Sequence, residues 1–383
     1  MQRLDIKKTV NAIKSVLPKR RPIGHHEPYS GQAERDALAS YAEKGLTSPD
    51  HTEWFEEKLR QVTGADQAIA VSNGTAALHL SLLASGVKPG DEVLVPTLTY
   101  AATANAVCHA GAVPNFIDGL LCLNPYKLRC YLARETTRND EVGRGRINKN
   151  TGQPITALIM VHLLGEPCYV TDIRQITDDF GLILIEDAAE ALGSWTGNAA
   201  CGTLGDVSIL SFNHNKIVTT GGGGAVLSSD PFIVANAHRL AHQGRVNHKW
   251  LVEHDILGWN YAMPPACAAL GVAQLSQLPE FLKKKRKLNT KYAEALFDVK
   301  GQHLMVPLEG SNCWLNTLIT DHAEDRDLLL DALHEEAIQA RALFSPLHTL
   351  PFYKNNPRDM NLDYAKHTAE RAVCLPSGVG LCE

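Results

Sequence analysis

Two hydrophobic rhythms alternate along this chain from about Ser48 onward. The segment "TSPDHTEWFEEKLRQVTG" carries apolar residues at helical spacing, with Ser48 as N-cap, Pro49 at the first helical position and a stop at Gly64. "QAIAVSNG" then predicts a short buried strand and "TAALHLSLLASG" a buried helix ending at Gly86. "DEVLVP", "TYAATANAVCHAG" and "AVPNFID" continue the alternation as strand, helix and strand. "ITALIMVHL" and "LILIED" are apolar runs too short for a typical helix, and between them "VTDIRQITDDFG" sets Ile173, Ile176 and Phe180 on one helical face. Continuously apolar strands separated by helices predict a largely parallel sheet covered on both faces, an α/β fold.

Two stretches interrupt the pattern. Residues 134–154, "RETTRNDEVGRGRINKNTGQP", are polar and predict an exposed hairpin or loop inserted before a core strand. After about Trp259, "PACAALGVAQLSQLPEFLKKKRKLNTKYAEALF" reads as a long helical stretch bent near Pro279, followed by a smaller α+β region. The expected division is an arm over 1–30, a large domain over 31–258 and a small C-terminal domain over 259–383. Within the arm, lysines and arginines interleave with Ile6, Val10, Ile13 and Val16, which predicts an amphipathic helix on the body of the protein rather than a secretory signal.

Composition narrows the function classes. A formal net charge of −5 gives no electrostatic reason for a nucleic acid or an anionic membrane as partner. No apolar run approaches the roughly 20 residues that span a bilayer. The 9 cysteines are scattered without C-x-x-C or metal-ligand spacing, so they read as reduced thiols of a cytoplasmic protein with no metal site.

Three segments carry candidate chemistry. In "VSNGTAAL" the turn at Gly74 and Thr75 lies between strand and helix, where free N–H groups and the helix dipole suit a phosphate; an ordinary strand–helix turn is the alternative. "LILIED" ends on Glu186 and Asp187, and an acid at the carboxyl end of a parallel strand points into the ligand crevice of α/β folds, although Asp187 also suits a helix N-cap. In "LSFNHNKIVTTGGGG" Lys216 stands in an uncharged stretch, suited to Schiff-base chemistry if desolvated. A phosphate turn, a strand-end aspartate and a lysine near Ser211, in that order, describe a pyridoxal 5′-phosphate site: phosphate anchor, carboxylate for the pyridine nitrogen, amine for the aldehyde. Neither G-x-G-x-x-G after a first strand nor G-x-x-x-x-G-K-[ST] occurs.

With "NGTAALHLSLLASGVKPGDEVLVPTLTYAATANAV", "IEDAAEALGS", "GTLGDVSILSFNHNKIVTTGGGG", "GWNY" and "SPLHTLPFY" in this order, the chain resembles the DegT family of sugar aminotransferases over nearly its whole length. The resemblance implies the type I aminotransferase fold, with Lys216 as the Schiff-base lysine and Asp187 facing the pyridine nitrogen. It implies Gly74, Thr75 and Ser211 at the phosphate, Tyr100 stacked on the ring, and Glu190 shaping the pocket. It also implies that Asn260 reaches the phosphate of a neighbouring subunit, hence a homodimer with shared sites. His214 neighbours the lysine position, but Lys216 fills that position, which separates the chain from the related sugar dehydratases. Ala262 stands where the family commonly has an arginine.

Within the family the chain looks most like the legionaminate and bacillosamine-type (LegC-like) 4-aminotransferases. That implies a nucleotide-linked 4-keto-6-deoxy-N-acetylhexosamine as acceptor and L-glutamate as donor, in polysaccharide biosynthesis. The alternatives are a GDP- or dTDP-linked keto-sugar, or a non-catalytic regulatory homologue. His348, Arg341 and Arg245 are candidate substrate contacts.

Overall fold

The computed structural model describes residues 2–44, 46, 50–119, 121–139 and 145–382. Ser48 and Pro49, read as the start of a helix, lie outside the described residues; the helix is described from Asp50 to Thr63.

The main sheet has seven strands along its path: β1 (Gln67–Val71), β2 (Glu92–Pro96), β3 (Val113–Ile117), β4 (Pro154–Val161), β5 (Ile183–Asp187), β6 (Val207–Ser211) and β7 (Gly224–Ser228). Their spatial order is β1-β7-β6-β5-β4-β2-β3. β7 runs antiparallel to both neighbours, and the other adjacent pairs are parallel. β2, β5, β6 and β7 are buried at every residue, which explains their mostly apolar or small residues; the buried carboxylates of Glu92, Glu186 and Asp187 are hydrogen-bonded. Helix Gly74–Ala84 is apolar nearly all round because other elements cover most of its surface.

The order reverses where the chain leaves β3 and returns to lay β4 beside β2. In such sheets the ligand crevice opens at the carboxyl ends of the strands. Val71, Pro96, Asp187 and Ser211 are the last residues of β1, β2, β5 and β6, so the segments that follow share that rim.

A second, antiparallel sheet joins Gln302–Leu304, Thr317–Thr320, Ala372–Cys374 and Arg341–Ala342 in that order. Helix Ile6–Val16 is capped by Asp5, which accepts from the Lys8 N–H at 2.9 Å, and buries Val10, Ile13 and Val16. These pack with Leu288, Tyr292, Leu329 and Leu333, so the N-terminal arm shares a core with C-terminal elements. The long helical stretch divides into Pro265–Ser276 and Leu278–Leu296 at Gln277, with Pro279 in the first turn of the second helix.

Within 134–154 the described residues form a hairpin laid against the main sheet. Thr136–Arg138 pairs with Arg146–Asn148, which pairs in turn with the start of β4. Its base is tied to the core by the buried carboxylate of Glu92, which accepts from Asn148 Nδ2 at 2.8 Å, from Asn115 Nδ2 at 2.7 Å and from the Thr151 hydroxyl. Among the described residues, no helix is long and apolar enough to cross a membrane, and no cluster of His, Cys, Asp or Glu could hold a metal ion.

Candidate active site

A cavity of about 590 Å³ opens at the carboxyl rim of the main sheet, between it and the smaller antiparallel sheet. Gly74, Thr75, Tyr100, Asp187, Glu190, Ser211 and Lys216 all line it, although they span more than a third of the chain. The topology makes this convergence: each residue ends a core strand or follows one within a few positions.

Asn73 caps helix Gly74–Ala84, its side chain accepting from the Ala76 N–H at 2.8 Å. The first backbone bond of the helix runs from Ala77 N to Asn73 O, so the N–H groups of Gly74 and Thr75 stand before the ladder begins. A Cβ on Gly74 would lie 3.0 Å from Ser211 Cβ, so glycine lets the helix start close to the end of β6.

Asp187 is buried at the end of β5. Oδ2 accepts from the Thr103 hydroxyl at 3.0 Å and Oδ1 from the Ala189 N–H at 3.2 Å. Burial pushes this carboxyl above its ordinary range, against those two hydrogen bonds and the charge of Lys216.

Lys216 follows β6 and turns its amine into the cavity, with 12% of its side chain exposed. Nζ lies 3.4 Å from Glu190 Oε1, and Oε2 of Glu190 accepts from the Leu164 N–H at 2.8 Å. Burial raises the Glu190 carboxyl, and Lys216 opposes that rise. The lysine amine also lies 4.2 Å from the centroid of the Trp314 ring. Tyr100 is largely exposed at the mouth, its ring 5.5 Å from that of Phe344.

Asn260 is not gathered in. It is exposed, pairs with His242 in an isolated antiparallel bridge and does not line the cavity. Of the candidate substrate contacts, Arg341 lines the cavity; His348 Nδ1 instead meets Thr97 Oγ1 at 2.7 Å, and Arg245 forms a backbone bridge with His254. The sequence reading missed Trp314, Thr103, His25 and His26. The "HHEP" wording marks the histidines, whereas Trp314 reaches Lys216 from nearly 100 residues away and leaves no local signal.

This sheet order, with a lysine and a strand-end aspartate facing one crevice, is the type I fold of the pyridoxal-phosphate aminotransferases. Residues 29–383 match the DegT/DnrJ/EryC1/StrS aminotransferase family, and the chain belongs to it. It is 35% identical over 368 residues to the GDP-perosamine synthase of Vibrio cholerae, covering 94% of each chain. It is 32% identical over 375 residues to the dTDP-4-dehydro-2,3,6-trideoxy-D-glucose 4-aminotransferase of Saccharopolyspora spinosa, covering 92% of this chain and 91% of that one. Its structure is similar to that of DesI solved in the presence of its TDP-sugar product, with a TM-score of 0.81 and 27% identity over 97% of this chain and 92% of that one. Family members use pyridoxal 5′-phosphate.

Proposed function

We propose that this aminotransferase converts the 4-keto group of a nucleotide-linked deoxy sugar to an amine, with L-glutamate as donor. The carrying observation is the convergence of Lys216, Asp187 and the Gly74–Thr75 turn on one cavity. The residues fit the cofactor. Free N–H groups at a helix start, beside Ser211, suit a phosphate. A carboxyl raised by burial at Asp187 suits a cationic ring nitrogen, whose charge would relieve that burial. Tyr100, at the mouth, would cover the cofactor's ring, and Glu190 bounds the pocket beside the lysine.

Pyridoxal phosphate, when bound, supplies the aldehyde carbon that carries nitrogen and a ring that accepts an electron pair. Lys216 Nζ takes the proton from the donor Cα and delivers one to C4 of the sugar. Glu190 holds that amine between transfers. Asp187 would hold the cofactor's ring nitrogen and keep it cationic, and Trp314 shields one side of the lysine from water.

The relatives named for a GDP-sugar product and a dTDP-sugar substrate favour GDP- or dTDP-linked keto-sugars over the N-acetylhexosamine expected from the LegC-like resemblance. We further propose a homodimer in which Asn260 serves the cavity of the second copy. Its exposure outside its own cavity supports this, as do the exposed apolar Trp250, Val252 and Leu257 in the preceding loop.

The test mixes cofactor-loaded protein and L-glutamate, in separate reactions, with GDP- and dTDP-linked 4-keto-6-deoxy sugars and with a UDP-linked 4-keto-6-deoxy-N-acetylhexosamine, and reads product mass. An amine product from the GDP or dTDP sugar is expected. Amination of only the UDP-linked N-acetyl sugar would restore the LegC-like reading. A change in cofactor absorbance with glutamate but no aminated sugar would overturn the substrate class; no change with glutamate would overturn the donor.

A further inference from the structure

Two thiols outside the cofactor cavity meet across the tertiary structure. Cys122 stands just before helix Pro125–Glu135, whose N-cap Asn124 accepts from the Lys127 N–H at 3.1 Å. Cys168 stands just before helix Val170–Phe180, and its N–H donates to His162 Nδ1 at 3.0 Å. The two helices pack on each other, and Cys122 lies against the apolar cluster that contains Cys168. Cys122 Sγ is 3.7 Å from the carbonyl oxygen of Pro167 and 3.9 Å from that of Glu166, the two residues preceding Cys168. The two thiols are in hydrogen-bond contact, and both are free.

The pair is unequal. Cys168 is 3% exposed, with Sγ 3.0 Å from the Val161 carbonyl oxygen. Cys122 is half-buried and lines a second cavity of about 560 Å³, which shares no lining residue with the cofactor cavity. The hydrogen bond from Cys168 holds the Cys122 thiol below its usual range against burial, whereas burial pushes Cys168 well above its own. A thiolate that solvent reaches is the reactive form of cysteine, and a buried protonated neighbour is placed to resolve the adduct formed on it.

Cys168 is also tied to the reactive lysine. The turn leading to it, Leu163–Gly165, holds Leu164 at φ 61°, a conformation that residues other than glycine seldom adopt. The Leu164 N–H donates to Glu190 Oε2 at 2.8 Å, and Glu190 Oε1 faces Lys216 Nζ at 3.4 Å. A pull on Cys168 is therefore felt four residues away by the group that holds Glu190 in place.

We propose that Cys122 and Cys168 form a reversible disulfide when the protein meets a hydroperoxide, and that closing it shifts the 163–168 segment and slows the chemistry at Lys216. The Cys122 thiolate attacks one peroxide oxygen and the O–O bond breaks, leaving a sulfenic acid on Cys122 and a hydroxide that takes up a proton. The Cys168 sulfur then attacks the Cys122 sulfur: S–S forms, S–O breaks, and the oxygen leaves as water with the Cys168 proton. The two thiols lose two electrons to the peroxide, and a dithiol returns them by exchange. The cross-link stands on the thiols alone; its effect on rate rests on the aminotransferase reading above.

The test treats the cofactor-loaded protein with hydrogen peroxide, blocks free thiols with iodoacetamide, and maps peptides by mass with and without dithiothreitol. Wild type should give a Cys122–Cys168 cross-link that dithiothreitol removes, and Cys122→Ser should leave Cys168 as a free thiol, with circular dichroism as the fold check. The glutamate half-reaction, read by cofactor absorbance, should slow about threefold or more in oxidised wild type, the equivalent of one weakened hydrogen bond. It should recover with dithiothreitol and be insensitive to peroxide in C122S. Recovery of both cysteines as free thiols from peroxide-treated wild type overturns the proposal, as does irreversible oxidation of Cys122 without a cross-link. A cross-link with an unchanged rate overturns the coupling to Lys216. Absence of the half-reaction in the reduced protein would overturn the aminotransferase reading instead, while the peptide map still decides the cross-link, which separates the two failures.

Discussion

The amine of Lys216 lies 4.2 Å from the centroid of the Trp314 ring, and the indole N–H of Trp314 donates at 2.9 Å to the carbonyl of Asn215, the residue next to that lysine. One buried side chain thus holds both the backbone that carries the amine and the amine itself. An aromatic face is attractive to the amine while it is protonated and loses that attraction when the proton leaves.

Trp314→Phe should retain a ring under the lysine and lose the hydrogen bond, at a cost of about 1 kcal/mol by urea unfolding. Trp314→Leu should lose the aromatic face as well, and the glutamate half-reaction should slow further in it than in W314F. Equal rates in the two variants would show that the face contributes nothing.

The glycine run after Lys216 divides into positions that are needed and positions that are not. A Cβ on Gly224 would lie 2.5 Å from the carbonyl carbon of Asn73 and 2.8 Å from Gly74 N, because β7 passes directly against the turn at the start of the cavity helix. A Cβ on Gly222 would meet nothing within 4 Å. Gly224→Ala should therefore destabilise by about 2 kcal/mol or more, and Gly222→Ala by no more than about 0.5 kcal/mol. Thermal melts of the two variants side by side would check the contrast, and similar losses would remove the close-approach explanation.

Gly74→Ala should act on binding rather than on the fold. Its Cβ would press on Ser211 Cβ at 3.0 Å, a contact that a shift of a few tenths of an ångström relieves, and on Oγ at 3.2 Å, which can rotate away. We expect a folded protein that holds pyridoxal phosphate about tenfold less tightly, the equivalent of one displaced hydrogen bond to a charged group. Dialysis followed by cofactor absorbance reads this directly; full retention would separate Gly74 from the phosphate site.

Asp187 and His25 pull the acid stability of the cofactor-free protein in opposite directions. Burial raises the Asp187 carboxyl, so in the window between its unfolded and folded values the folded protein holds the extra proton, and stability falls as pH rises through it. His25 is lowered from 6.5 to about 4, chiefly by burial, so in that window the unfolded chain holds the extra proton and acidification costs stability. Urea midpoints between pH 7.5 and pH 4 should fall less steeply with acid in His25→Gln and more steeply in Asp187→Asn. Parallel profiles for all three proteins would contradict both assignments. Asp187→Asn should also be no less stable than wild type at pH 7, while losing cofactor affinity.

Much of this molecule was legible in the sequence, and for local reasons. A strand buried on both faces is largely apolar, so β2, β4 and β5 announced themselves by composition, and the glycines at 64, 86 and 181 closed their helices through positive φ. The order of Gly74, Asp187 and Lys216 was sufficient to suggest the cofactor because each follows or ends a strand, and parallel strands bring those ends to one rim.

What only the tertiary structure decided involves partners far apart along the chain. Trp314 under Lys216, Thr103 on Asp187, and Asn148 on Glu92 join residues whose neighbours in sequence say nothing about the meeting. Asn260 carried a family motif yet lies outside its own cavity. Periodicity records which face of an element is buried. Only the packing of one element on another chooses the atoms that fill the space around a reactive group, and here that packing surrounds the lysine with an indole and a buried glutamate at the edge of one cavity.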